Sequence, residues 1–230
     1  METNQKTGRT IGFLLFLTIS AGIPSVILRG LSISLTNSPD FLSQIFENAL
    51  EMRVAILLDI LTSALWVVIA TIIFKQIKKF NRRLAIGFFG IWIIYSAIII
   101  FSNISHLSLL SLSQEFVNAQ VVNAEYFMIA GRLKVEDYFW AHFFGIMLYA
   151  TAAFIFYYFL FKNRLVPRFL SGWGMIAISI VFIACWLNIF DLNVSFHFFS
   201  QNGIHMIVLT GWLIAKGFAK NPINPNHSIK

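Results

Sequence analysis

Six long apolar runs, each set off from the next by charged or polar residues, constrain this chain more than any other feature. They fall at about residues 10–31, 53–74, 84–104, 138–161, 169–190 and 194–218. A helix rises about 1.5 Å per residue, so runs of this length cross a hydrocarbon core of roughly 30 Å. Helices satisfy their own backbone hydrogen bonds, which makes them the expected spanning form. The alternating pattern of an outer-membrane barrel is absent. Composition points the same way: 58% of the 230 residues are hydrophobic and 12% are charged. A soluble chain of this size cannot bury that much apolar surface. A soluble enzyme, a nucleic-acid-binding domain and a disordered chain are excluded. The expected fold is all-α: one integral membrane domain over residues 1–230, a six-helix bundle with the lipid bilayer as its partner.

The net charge of +7 suggests nucleic acid until its placement is considered. Lys6, Arg9, Lys75, Lys78, Lys79, Arg82, Arg83, Lys162, Arg164, Arg168, Lys216, Lys220 and Lys230 fall on one side of the expected bundle. The other side holds Arg29, Arg53, Arg132 and Lys134, together with Asp40, Glu47, Glu51, Glu115, Glu125, Glu136, Asp137 and Asp191. The positive-inside rule then places both termini in the cytoplasm. A prokaryotic plasma membrane is the expected location, and no nucleic acid partner is expected. Ser20-Ala21-Gly22-Ile23-Pro24 makes a poor cleavage site, so the first run is expected to stay as an uncleaved anchor. The single cysteine, Cys185, allows no intrachain disulfide.

The inner connections are short. On the outer side a long loop is expected over about 105–137. The segment after the first span reads differently. Ser38-Pro39-Asp40 resembles a helix start, and Phe41, Leu42, Ile45, Phe46 and Leu50 follow at helical spacing. A short amphipathic helix on the outer surface is expected there. A second one over about 121–133 is a weaker expectation. Trp140, Trp186, Tyr126 and Tyr138 suit the outer interface, and Tyr157, Tyr158 and Trp173 the inner one.

Polar residues inside the spans mark the candidate site. Arg29, Asp59, Asn103, His142, Asn188 and His205 all lie in outer halves, whereas the inner halves are almost wholly apolar. Asp59 is the sharpest signal. It sits six residues past Arg53, about 9 Å below the outer boundary, and a carboxylate at that depth needs a partner. Arg29 is within reach, so an Arg29–Asp59 pair tying the first two spans is the preferred account. His142 and His205 read first as hydrogen-bonded packing residues. A metal site using His142, His197, His205 and Asp59 is the alternative, because His197 and His205 share a helix face. No HExxH, cysteine pair or GxSxG motif supports chemistry at these residues. No catalytic residue, metal or haem is therefore expected.

One stretch is distinctive: Phe143-Phe144-Gly145, then Phe161-Lys162-Asn163-Arg164-Leu165-Val166-Pro167-Arg168-Phe169-Leu170-Ser171-Gly172-Trp173-Gly174. With Gly22-Ile23, Arg29-Gly30, Arg53, Asp59 and the closing Trp212-Leu213 to Gly217, it resembles an uncharacterised bacterial family of multi-pass membrane proteins, the domain of unknown function 4386. The family pattern places an acidic residue early in the last span, where this sequence has His205 nearby. The resemblance implies an integral membrane protein along the whole chain and supplies no activity.

Three functional readings follow. The first is a non-enzymatic membrane protein of accessory, sensory or partner-binding type, with a polar pocket in its outer half. The second is a carrier or binder of a small or lipid-like molecule, reached through a cavity at Asp59 and His142. The third is a metal-dependent intramembrane enzyme. Protein partners are not specified by the sequence.

Overall fold

In a computed structural model, residues 2–36, 38–118, 124–190, 192, 194–195 and 197–219 are described. Seven helices account for nearly all of them: α1 (Glu2–Leu35), α2 (Phe41–Glu47), α3 (Ala49–Phe80), α4 (Arg82–Asn118), α5 (Ala124–Lys162), α6 (Arg168–Ile189) and α7 (His197–Lys216). Among the described residues there is no strand. Helices α1, α3, α4, α5 and α6 are long and apolar enough to cross a membrane. Helix α7 has 20 residues, and Ser200, Gln201, Asn202 and Gly203 dilute its apolar content. Asp191, and Lys220 to Lys230, lie outside the described residues.

Local sequence sets the helix ends. Asn81 accepts the backbone N–H of Leu84 at 3.0 Å, an N-cap that lets α4 restart one residue after α3 stops. Helix α5 ends in a Schellman turn in which Leu165 N–H bonds Leu160 O and Arg164 N–H bonds Phe161 O. Arg164 takes the left-handed position there, with φ 51°, where glycine is usual. Helix α7 ends on Gly217 at φ 68°, with its N–H on Leu213 O. Helix α1 runs unbroken through Pro24.

The expected loop over 105–137 is mostly helix. Helix α4 extends to Asn118 and α5 starts at Ala124, and 119–123 lie outside the described residues. The serines of 105–118 read as loop formers, yet Ser108, Ser111 and Ser113 bond back to carbonyls of their own helix. That satisfies the hydroxyls without breaking the helix. Leu109, Leu110 and Ser113 are buried, so this extension packs against protein. The second amphipathic helix expected over 121–133 is, from Ala124 onward, the start of α5.

The described chain divides into two compact units. One comprises residues 20–64 and 96–145. Its core joins Phe41, Leu42 and Ile45 of α2 to Met52, Ile56, Leu109, Leu110 and Val135. A short helix is present as α2, with Phe41, Leu42 and Ile45 buried in protein and Phe46 exposed; Leu50, also exposed, belongs to α3. Gly131 makes this fit: a Cβ there would sit 2.9 Å from both Phe41 and Leu42. Ser38 does not cap the helix directly. Its hydroxyl accepts from Asp40 N and Gln44 Nε2, and Asp40 holds the cap position without a side-chain bond.

The other unit comprises residues 1–19, 65–95 and 146–230. Its core is aromatic. Trp66 and Trp92 stack with centroids 4.5 Å apart, and Tyr149 meets both edge-on. The first turns of α1 lie against the end of α7. Gly12 faces Leu213 and Ile214, where a Cβ would come within 2.8 Å. The last α7 carbonyls are covered from α1: Gln5 Nε2 donates to Lys216 O and Arg9 Nη2 to Ala215 O. Cations and donors at a helix C-terminus offset its negative end.

Candidate buried charge cluster

Helical spacing sets up the site in the unit of residues 20–64 and 96–145. Ser25 and Arg29 are four residues apart on α1, and Ala55 and Asp59 are four apart on α3, so each pair shares a face. The two faces meet. Ser25 Oγ donates to Ala55 O at 3.0 Å, and Arg29 Nη2 lies 3.4 Å from the same carbonyl. One turn on, Arg29 Nη2 lies 2.9 Å from Asp59 Oδ2. The expected ion pair is present.

Asn103 on α4 completes it. Its Oδ1 accepts from Arg29 Nη2 at 3.1 Å, and its Nδ2 donates to Asp59 Oδ2 at 2.8 Å and to Ile99 O at 2.8 Å. Arg29, Asp59 and Asn103 thus form a closed triangle linking three helices. The side chains are 3% exposed for Arg29 and 13% for Asp59. At that burial an unpaired charge costs several kcal/mol, roughly, whereas a paired and hydrogen-bonded one is tolerated.

Helix α5 adds a lid of rings. The Arg29 guanidinium sits 5.0 Å from the Tyr138 ring centroid. Tyr138 in turn stacks on His106 at 3.9 Å and lies 5.7 Å from His142. Tyr138 is 5% exposed, so it is a core residue and does not occupy the interface expected for it. Its amphipathic ring suits either place, and the cation beside it decides. His142 Nδ1 is buried and has no hydrogen-bond partner among the described residues.

The remaining candidates have other neighbours. Asn188 donates to Ala184 O of its own helix. His197 is exposed at the start of α7. His205, in the unit with the aromatic core, is fully buried. Its Nε2 lies 2.9 Å from Leu170 O, so Nε2 carries the proton, and Tyr157 and Trp173 meet its ring edge-on. Tyr157 is 2% exposed and, like Tyr138, is not at an interface. Among the described residues, no three His, Cys, Asp or Glu side chains are grouped so as to hold a metal ion. The set His142, His197, His205 and Asp59 is not assembled.

The sequence-level set omitted part of this picture. Tyr138 and His106 extend the charge cluster, and Tyr149 and Asn202 make a second polar pair. In that pair Asn202 Nδ2 donates to Tyr149 Oη at 3.1 Å, and Tyr149 Oη reaches Met206 Sδ. The available signal was their polar character at helical spacing within apolar runs.

A family model for a domain of unknown function, DUF4386, matches residues 10–217. The chain belongs to this family. The match runs from the first apolar helix through the end of α7, so both compact units are family structure. The charge cluster and the His205 site both fall inside it. No curated protein and no solved structure matches the chain.

Proposed function

We propose that this DUF4386 member is a six-span protein of the prokaryotic plasma membrane with both termini cytoplasmic. In this reading it is non-enzymatic, of accessory, sensory or partner-binding type. The observation that carries it is the closed triangle: the intramembrane carboxylate of Asp59 is matched by Arg29 and Asn103 of the same chain. Its charge is balanced without an ion, substrate or cofactor.

Helix α7 supports a sixth span. Its 20 residues measure about 30 Å, the thickness of a hydrocarbon core. Asn202, His205 and Thr210 are buried, while Ile204, Ile207, Val208 and Trp212 are exposed. The surface left to lipid is therefore more apolar than the sequence average suggests. An even number of spans returns the chain to its starting side, and the basic connections at Lys75–Arg83 and Lys162–Arg168 mark that side as the cytoplasm. Helix α2 then lies at the outer side.

Ser25, one turn from Arg29 and 1% exposed, tests the closed state. In a Cys185→Ser background, Ser25→Cys resists a water-soluble maleimide in intact membranes. Labelling at the rate of an exposed thiol would show a water-filled pocket and favour a ligand site instead.

A further inference from the structure

A groove of about 730 Å³ lies where the α5–α6 connection, the end of α7 and the start of α1 meet. Three cations line it: Arg164, Arg168 and Lys216. Among the described residues, none that lines it is acidic. Pro167 lines it too and leaves the N-terminus of α6 without a side-chain cap. The negative end of α7, by contrast, is covered by Gln5 and Arg9. Among the described residues, the charges left facing the groove therefore have one sign, and they favour an anion.

A second groove, of about 380 Å³, lies between α5 and α6 and is lined by Thr151, Phe154, Ser179, Phe182 and apolar neighbours. One helix line of α6 leads from the first groove to the second. Arg168, Gly172, Met175, Ser179 and Phe182 follow one line on α6, since offsets of four, seven, eleven and fourteen residues keep one helix face. Phe161 and Phe154, seven apart, follow the matching line on α5. The Arg168 guanidinium sits 5.4 Å over the Phe161 ring, at the head of this strip. The space beside Gly172 is open, since a Cβ there would make only an ordinary contact with Phe161, at 4.0 Å. Ser179 is eleven residues from Arg168, about 16 Å along the axis. That is about half a hydrocarbon core of roughly 30 Å, the depth of one leaflet.

From this geometry we infer that the chain holds an anionic phospholipid, its phosphate at Arg164, Arg168 and Lys216 and one acyl chain along the α5–α6 strip into the second groove. A cationic mouth with an apolar furrow about one leaflet away along α6 matches a lipid and exceeds what a free phosphate uses. The inference rests on membrane embedding and on no residue of the charge cluster, so either reading can fail alone. The proposed orientation places the lipid in the cytoplasmic leaflet, where anionic lipids lie.

Native mass spectrometry from mixed micelles of dioleoyl phosphatidylglycerol and dioleoyl phosphatidylcholine tests it. The protein is expected to retain phosphatidylglycerol preferentially. The triple variant Arg164→Gln/Arg168→Gln/Lys216→Gln should lose it by roughly a hundredfold, at about fivefold per cation. A control triple at exposed basic positions outside the groove, Lys78→Gln/Lys79→Gln/Arg83→Gln, should retain it. Ser179→Phe, which fills the furrow and spares the mouth, should weaken retention of the dioleoyl lipid. Inorganic phosphate at millimolar concentration should not displace it. Equal retention by the groove and control triples, whether both keep or both lose the lipid, overturns the inference. Displacement by phosphate, or an unchanged Ser179→Phe variant, overturns it as well. Arg168→Gln alone reads the same contrast if the triple variant does not fold.

Discussion

The two compact units each bury polar side chains in apolar surroundings, and they do so in different ways. The unit of residues 20–64 and 96–145 buries opposite charges and cancels them with Arg29, Asp59 and Asn103. The unit with the Trp66–Trp92 stack uses neutral groups: half-buried Tyr149 and buried Asn202 and His205. It also leaves Trp92 Nε1, Asn202 Oδ1, His205 Nδ1 and Thr210 Oγ1 without a hydrogen-bond partner among the described residues. Charges have to be paired because an unpaired one is too costly. Neutral donors and acceptors tolerate incomplete pairing at about 1–3 kcal/mol each. One unit is therefore held by a few strong, mutually dependent contacts. The other relies on shape and many weak ones.

This contrast ranks the expected effects of substitution, read as unfolding free energy in detergent. Asp59→Asn strands the Arg29 charge and should cost about 3 kcal/mol. Gly174→Ala comes next. Its Cβ would meet His205 Cε1 at 2.5 Å and Nε2 at 2.7 Å, and overpacking of this kind costs about 1–3 kcal/mol. Gly174→Ala combined with His205→Ala should cost less than the sum of the two single losses, because the clash is removed. Losses that simply add would mean that the close approach does not set the packing. Tyr149→Phe removes the hydroxyl bonded to Asn202 and should cost about 1 kcal/mol; a loss as large as that of Asp59→Asn would erase the distinction between the units. Ser63→Ala removes the Ser63–Ser96 bond of 2.9 Å, and the expected cost is smallest, about 0.6 kcal/mol.

The parts legible in sequence are those where physics leaves one solution. Apolar runs of spanning length can only be helices, and five of them appear as such. A carboxylate within an apolar run needs a partner, and Arg29 was the preferred one within reach; the pair is present. Asn103 was visible only as a polar residue on a stripe. Its role depends on where α4 meets α1 and α3, which no spacing within α4 encodes. Tyr138 and Tyr157 were misplaced because an amphipathic ring fits an interface and a core equally well. The helical extensions over 105–137 were hidden because serine-rich helix and loop look alike until the hydroxyls are seen bonding back to the helix. The fit of His205 against Gly174 joins distant segments and left no local trace.

A double-mutant cycle on the charge triangle tests the central claim most directly. Arg29→Gln, Asp59→Asn and the double variant are unfolded in the same detergent, and the three losses are compared. The account predicts strong coupling. Each single variant is destabilised, and the double variant loses little more than Asp59→Asn alone, with an interaction energy on the order of 2 kcal/mol. Losses that simply add would contradict it, because Arg29 and Asp59 would then be stabilised by separate partners and the triangle would not hold the helices together.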